Sequence, residues 1–334
     1  MGRKKQLGLN MIMGVVKQII TITCGFVLPV YILKSYGSAV NGLVSSITQF
    51  LAFISFLEMG VGPVIQSNLY KPLVNRNWKD ISLICKSSER FFRKIAYIFI
   101  GYIVFLIIIF PRLINTNYGF IYTGTLIVII AISSFAQYFF GITYQLLLNA
   151  DQKAYIQLSL QAGTILFNTI LSVVMMRMGA SIHSVKLVTS LVYVLRPLCM
   201  MFYVHKKYKI DKTIKVVGEP IKQKWNGFAQ HLASVVVSNT DVVVLTIFSS
   251  LENVSIYSVY YTVVRGITDV IMTAVTGLEA MWGNMIAKKE IDQLQKSFGI
   301  IEWAIHFVIS FLFSATAVLI VPFINVYTRG ITDV

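Results

Sequence analysis

Residues 254–288 read VSIYSVYYTVVRGITDVIMTAVTGLEAMWGNMIAK, an apolar run long enough to cross a bilayer that nevertheless carries Arg265, Asp269 and Glu279. At about 100° per residue, Ser258, Tyr261, Arg265, Asp269, Met272, Thr276, Glu279 and Gly283 fall within about 40° of one helical line, while Val263, Val264, Ile271 and Val275 lie off it. An ionised side chain at the bilayer centre costs about 2.5 to 3.5 kcal/mol, so this face is expected to look into a protein interior or a wet cavity. Two readings of Arg265 and Asp269 stay open: an i,i+4 ion pair that pins the helix, or the charged lining of a translocation path.

The rest of the chain has the same solvent in view. Of 334 residues, 56% are hydrophobic and only 13% charged, and the mean hydropathy is +0.72. That composition excludes a soluble domain and predicts an all-α, polytopic membrane helix bundle. Nine apolar windows stand out: 9–33, 38–66, 95–114, 120–148, 154–178, 185–205, 226–251, 254–286 and 297–326. If the N-terminus is cytoplasmic, 21 of the 29 Lys and Arg fall on the inner side. Five (Lys34, Arg112, Arg177, Lys186 and Arg329) fall outside, and Lys17, Arg196 and Arg265 lie within spans. The net charge of +15 therefore reads as membrane topology, with membrane lipid rather than nucleic acid as the partner of the basic loops. Arg3, Lys4 and Lys5 precede an apolar run without a small-residue cleavage site, so the run is read as a retained first span. The chain is accordingly parsed as a six-span bundle (1–205), a basic cytoplasmic connector (206–225) and a three-span second part (226–334).

Charges and amides inside the spans are the candidate site. Lys17 shares a helical line with Asn10, Gly14, Thr21 and Cys24 and sits roughly 12 Å into the first span, where it either lines a cavity or snorkels. Arg196 stands beside Pro197 about halfway along the sixth span, facing cavity or bilayer. Asp241, roughly 22 Å along the seventh span, lies at the depth of Arg265 and is placed to meet it as a structural or switchable bridge. Ser134, Gln137, Gly141, Gln145 and Asn149 line one face of the fourth span. Gln157, Gln161, Thr164, Asn168 and Ser172 do the same in the fifth, and such amides either hydrate a path or bond between helices. Glu58 falls close to the inner boundary, and Gly60, Gly62 and Pro63 after it read as a helix end or break. Cys24, Cys85 and Cys199 have no metal or CxxC spacing and are expected as packed, reduced thiols. No HExxH, paired-carboxylate or Ser-His-Asp arrangement is visible, the predicted outer loops are short, and no motif calls for a metal or cofactor, so an enzyme is not expected.

The run Tyr36-Gly37-Ser38-Ala39-Val40-Asn41-Gly42-Leu43-Val44-Ser45-Ser46-Ile47-Thr48-Gln49-Phe50 resembles bacterial polysaccharide flippases of the multidrug/oligosaccharidyl-lipid/polysaccharide exporter superfamily. So do Leu57-Glu58-Met59-Gly60-Val61-Gly62, Leu69-Tyr70-Lys71-Pro72-Leu73, Ser238-Asn239-Thr240-Asp241 and Val254-Ser255-Ile256-Tyr257-Ser258-Val259-Tyr260. The resemblance implies a two-lobed exporter fold of two six-helix bundles, related by a pseudo-twofold, that rock about a central cavity in the bacterial cytoplasmic membrane. Its implied cargo is an undecaprenyl-diphosphate-linked oligosaccharide, carried from the inner to the outer leaflet beside polysaccharide assembly proteins. It also implies basic cavity residues on the first and eighth helices, here Lys17 and Arg265; Arg196 is a further candidate from its own place in the sixth span. Drug exporters of the same superfamily offer the alternative of cation coupling through Asp241, Asp269 or Glu279. Against the family pattern, nine spans leave the second bundle three helices short. The C-terminus is therefore read as truncated, and the 334-residue chain alone is expected to insert but not to transport. Segments 35–49 and 249–263 echo each other at an offset of 214 positions, each placing a short polar turn between two spans.

Overall fold

Helix α1 (Arg3–Ala52) would run about 75 Å if straight, more than twice the hydrocarbon thickness. It does not run straight. In the computed structural model, which describes residues 3–58, 60–114, 118–211, 214, 228–287 and 290–331, the helix breaks at Gly37, where φ is 83° and ψ 173°. That backbone conformation is open essentially to glycine alone, so one residue separates the first two expected spans. Gly37→Ala should lower stability by about 1 to 3 kcal/mol, the range for forcing a side chain into such a conformation. Thermal unfolding in detergent measures it against Gly25→Ala, a position with open space around its Cα; equal midpoints for the two variants would remove the strain argument.

A 3-10 turn (Phe53–Glu58) follows, and Gly60, at φ 73°, opens α2 (Val61–Val74), so the expected break falls where the glycines stand. Helix α3 (Trp78–Leu113) starts well before the apolar window at 95. The side chain of Asn77 accepts from the Asp80 amide at 3.2 Å and satisfies one of the helix's free N–H groups. Helix α4 (Phe120–Ala136), a π-helical turn (Gln137–Gly141) and α5 (Ile142–Ala150) form one apolar segment. Then come α6 (Ala154–Arg177), α7 (Ile182–Lys207), α8 (Phe228–Phe248), α9 (Leu251–Ala287) and α10 (Ile291–Tyr327). No strand occurs among the described residues, and six helical segments there are long and apolar enough to cross a membrane. The first of these, Gly8–Glu58, contains the first window and the second as far as residue 58, the rest of the second falling on α2, and α8 and α9 occupy the seventh and eighth. The protein is thus an all-α, multi-pass membrane helix bundle. Of the basic connector, residues 212–213 and 215–225 lie outside the described residues.

The chain forms two compact units, Met1–Ser255 and Ile256–Val334, the division falling inside α9. In the first, α1 packs along α6, α6 on α7, α7 on α4, α4 on α3, and α2 closes on α3 and α5. The fully buried side chains at its centre include Leu43, Ile65, Phe92, Phe99, Phe110 and Leu147. Asn10 closes the turn between α5 and α6: its amide donates to the Gln152 carbonyl (2.9 Å) and accepts from the Tyr155 N–H (2.8 Å). At the far end of α7, the Tyr208 hydroxyl donates to Asp151 at 2.5 Å while Lys153 lies 2.6 Å from the same carboxylate. Burial, and then the Asp151 hydrogen bond, push this phenol up, so it remains a donor at physiological pH. Cys24 and Cys85 are buried and Cys199 is exposed, all three as free thiols.

The second half of α1 meets α8 and the start of α9 through small residues. Asn41 Nδ2 donates to Ser255 Oγ at 2.8 Å, and the Ser46 and Thr246 hydroxyls lie 2.7 Å apart, all four residues buried. The separation of Asn41 from Ser255 is 214 positions, the same offset that relates the two echoing segments. In the second unit, Trp282 packs on Phe298 (5.3 Å between rings) near the turn between α9 and α10. Helix α10 exposes Trp303, Phe307, Phe311 and Val318, a face suited to lipid rather than water.

Candidate functional site

The π turn shapes the site. Five residues wound more widely than an α-helix alter the direction of Gln137 and Tyr138 relative to the rest of α4, a distortion that recurs at functional sites. Gly141 permits it. A Cβ there would lie 2.7 Å from the Gln137 side-chain oxygen and 2.9 Å from Pro197 Cβ, so glycine lets the Gln137 carboxamide fold over the turn and lets α7 approach. Pro197 has no N–H, which deprives the Tyr193 carbonyl of its intrahelical donor one turn back. Both helices thus present irregular, polar backbone at the same level, which membrane proteins tolerate only when it is buried in protein or lines a cavity.

Between them is a cleft of about 240 Å³ lined by Glu58, Ser133, Ser134, Gln137, Tyr193 and Arg196, with Tyr138 and Ile142 completing the wall. Arg196 lies roughly 21 Å from the start of α7, near its middle. Its Nη2 donates to Gln137 Oε1 at 3.1 Å, and Gln137 Nε2 donates in turn to Gln145 Oε1 at 3.0 Å. Arg196 Nε is buried and has no hydrogen-bond partner. A buried charged donor without an acceptor is costly, and such a group normally meets water or an anion. Glu58, at the end of the 3-10 turn, accepts from the Tyr138 hydroxyl at 2.6 Å. The cleft thus holds one guanidinium with a free donor and one carboxylate already bound to a phenol.

None of the other expected site residues is among those lining this cleft. Lys17 is half-buried on α1, does not line this cleft, and its carbonyl accepts from Thr21 Oγ1 at 2.8 Å. Asp241 is exposed on α8. Arg265 and Asp269 belong to the second unit, where Arg265 Nε lies 3.4 Å from Asp269 and Nη1 donates to the Tyr261 hydroxyl at 3.3 Å. The intrahelical pair is therefore formed, and Arg265 keeps about half of its side chain exposed, at 53%. Tyr257 stacks on Tyr261 (5.7 Å), which extends the polar face of α9 by another turn. The side chain of Glu279 lies outside the described residues.

The two amide stripes, alike in sequence, part company. Asn168 donates to the Tyr193 hydroxyl (3.4 Å) and Ser172 faces Thr189 (3.3 Å), so the α6 stripe bonds across to α7. The stripe on α4 and α5 instead supplies Gln137 and Gln145 to the Arg196 network. Tyr138 and Tyr193 were not among the expected site residues. Gly141 and Pro197 stand close to them in sequence, but only the fold brings the two together. No protein-family model matches the chain, and no curated protein matches it either.

Proposed function

We propose that this chain belongs to a flippase for lipid-linked oligosaccharides and that Arg196 contacts the diphosphate of the passing substrate. The observation that carries the reading is the buried Arg196 Nε–H, which lacks an acceptor and borders a polar cleft in the middle of an apolar bundle. A guanidinium is the side chain best suited to an oxyanion of phosphate geometry, and it holds its charge when desolvated. Glu58 is engaged by Tyr138, so Arg196 is the charged group with donor capacity to spare. On α9, the ladder Tyr257, Tyr261, Arg265 and Asp269 offers flat aromatic faces beside a second guanidinium, a surface on which sugar rings and a phosphate can both be accommodated. The resemblance of residues 36–50 and 254–260 to polysaccharide flippases points the same way. In this reading the protein resides in a bacterial cytoplasmic membrane with its N-terminus inside, and the cargo passes from the inner to the outer leaflet by alternating access.

Deletion of the gene tests the reading against cation-coupled drug export. Loss of surface polysaccharide with accumulation of its lipid-linked precursor is expected, with unchanged sensitivity to cationic amphiphilic drugs. Intact polysaccharide together with hypersensitivity to such drugs would instead establish the exporter. Within this scheme Arg265→Ala, introduced at the chromosomal locus, should reduce surface polysaccharide severalfold at normal protein abundance, because it removes the guanidinium of the α9 ladder; full polysaccharide would take Arg265 out of the mechanism.

A further inference from the structure

Helix α3 is too long for the membrane it crosses. Its 36 residues span about 54 Å, whereas its apolar part, 95–113, spans about 28 Å, close to the hydrocarbon thickness. Lys94 and the residues before it therefore stand at headgroup level or beyond. There the helix carries an open cleft of about 250 Å³ lined by Lys86, Glu89, Arg90, Arg93, Lys94 and Tyr97. Four cations face one carboxylate. Glu89 accepts from the Tyr144 hydroxyl at 2.8 Å and lies 3.8 Å from Arg93, so its charge is already shared. Lys86, Arg90 and Lys94 have no carboxylate partner among the described residues. Phe139 of the π turn forms the adjoining wall, with the Arg93 guanidinium 5.0 Å from its centroid and Tyr97 edge-on at 6.1 Å. Immediately beyond, Tyr97, Ile98, Ile100 and Val104 are exposed, which identifies this side of α3 as lipid-facing. The same turn thus gives Gln137 to the inner cleft and Phe139 to the perimeter.

From this juxtaposition we propose that the α3 cleft binds the phosphodiester headgroup of an anionic phospholipid, with Lys86, Arg90 and Lys94 around the phosphate and the acyl chains along Tyr97, Ile98 and Ile100. The site is independent of the Arg196 cleft and of the cargo. Position and charge together select this occupant: a soluble anion has no use for the apolar surface next to the cations, and a zwitterionic headgroup brings its own positive charge to them.

Native mass spectrometry of the detergent-purified chain, titrated with phosphatidylglycerol or phosphatidylcholine of identical acyl composition, provides the test. Phosphatidylglycerol should be retained at least about ten times more tightly. Each cation removed should weaken retention about fivefold, so that K86Q/R90Q/K94Q loses roughly 100-fold. The matched neutralisation K34Q/R112Q/R177Q removes the same charge from exposed residues at the opposite helix ends, Arg112 lying about 27 Å along α3 from Lys94, and should leave retention within about threefold, since interactions beyond a Debye length are screened. If the triple α3 variant does not purify, K94Q alone should show the fivefold step. Equal retention of the two lipids, equal losses from the two triple variants, or displacement of phosphatidylglycerol by equimolar inorganic phosphate would each overturn the proposal.

Discussion

Arg196→Gln is expected to abolish most transport while leaving the protein in the membrane at normal abundance. Loss of one buried, charge-assisted contact to an anion costs about 2 to 4 kcal/mol, which corresponds to a decrease of roughly 30- to 1000-fold. The fold should tolerate the change. Gln137 keeps its bond to Gln145, and the buried Nε that lacks an acceptor disappears together with the guanidinium. Arg196→Lys separates charge from geometry: it keeps the cation but loses the planar fork, so transport should fall between wild type and the glutamine variant. Transport rates per unit of membrane-inserted protein decide the matter. A loss of abundance that matches the loss of transport would make Arg196 a structural residue instead.

Gly42→Ala should be the most destabilising single methyl in the first unit. A Cβ at Gly42 would lie 1.8 Å from the Leu251 carbonyl oxygen and 2.7 Å from its carbon. These are backbone atoms, so no rotamer change relieves the overlap, and the second half of α1 must move away from the start of α9. That motion would also pull apart the buried Asn41–Ser255 hydrogen bond one residue away. Overpacking of a tight contact costs typically about 1 to 3 kcal/mol and more when rigid groups collide, and the broken bond adds about 1 kcal/mol. A total above about 3 kcal/mol is therefore expected. Gly163→Ala in α6, where nothing lies within 4 Å, should be neutral or slightly stabilising because alanine is the better helix former. Thermal unfolding of the two variants in the same detergent makes the comparison, and equal midpoints would show that α1 and α9 do not approach as closely as their backbones indicate.

These two residues also mark what the sequence could and could not convey. Helix positions follow from runs of apolar residues, which depend on composition over some twenty positions, and each expected window falls on a helical segment except 38–66, which is divided among the end of α1, the 3-10 turn and the start of α2. The break before α2 follows from Gly60, a local signal of backbone geometry. The early start of α3 was missed because its first turns are amphipathic rather than apolar, although Asn77 with Asp80 three positions on is a legible cap. The cleft is another matter. It joins Glu58, Gln137 and Arg196 from three separate elements, and nothing local to any of them identifies the others. The amide stripes of α4–α5 and α6 show the same limit, since their roles depend on which residues of α7 lie opposite. Arg265 and Asp269, by contrast, were legible as a pair because i,i+4 spacing on a helix brings them together without any tertiary contact.

The most direct test of the Arg196 proposal is a leaflet-resolved assay in sealed, inverted membrane vesicles. Labelled lipid-linked oligosaccharide is supplied on the outward-facing cytoplasmic leaflet, and its fraction accessible to a membrane-impermeant glycosidase is followed over time. With the wild-type protein the accessible fraction should fall as the cargo crosses. With Arg196→Gln at equal abundance the decay should be slowed at least about 30-fold, the lower end of the expected loss. Decay at the wild-type rate in the Arg196→Gln vesicles would contradict the assignment of Arg196 to the cargo's path.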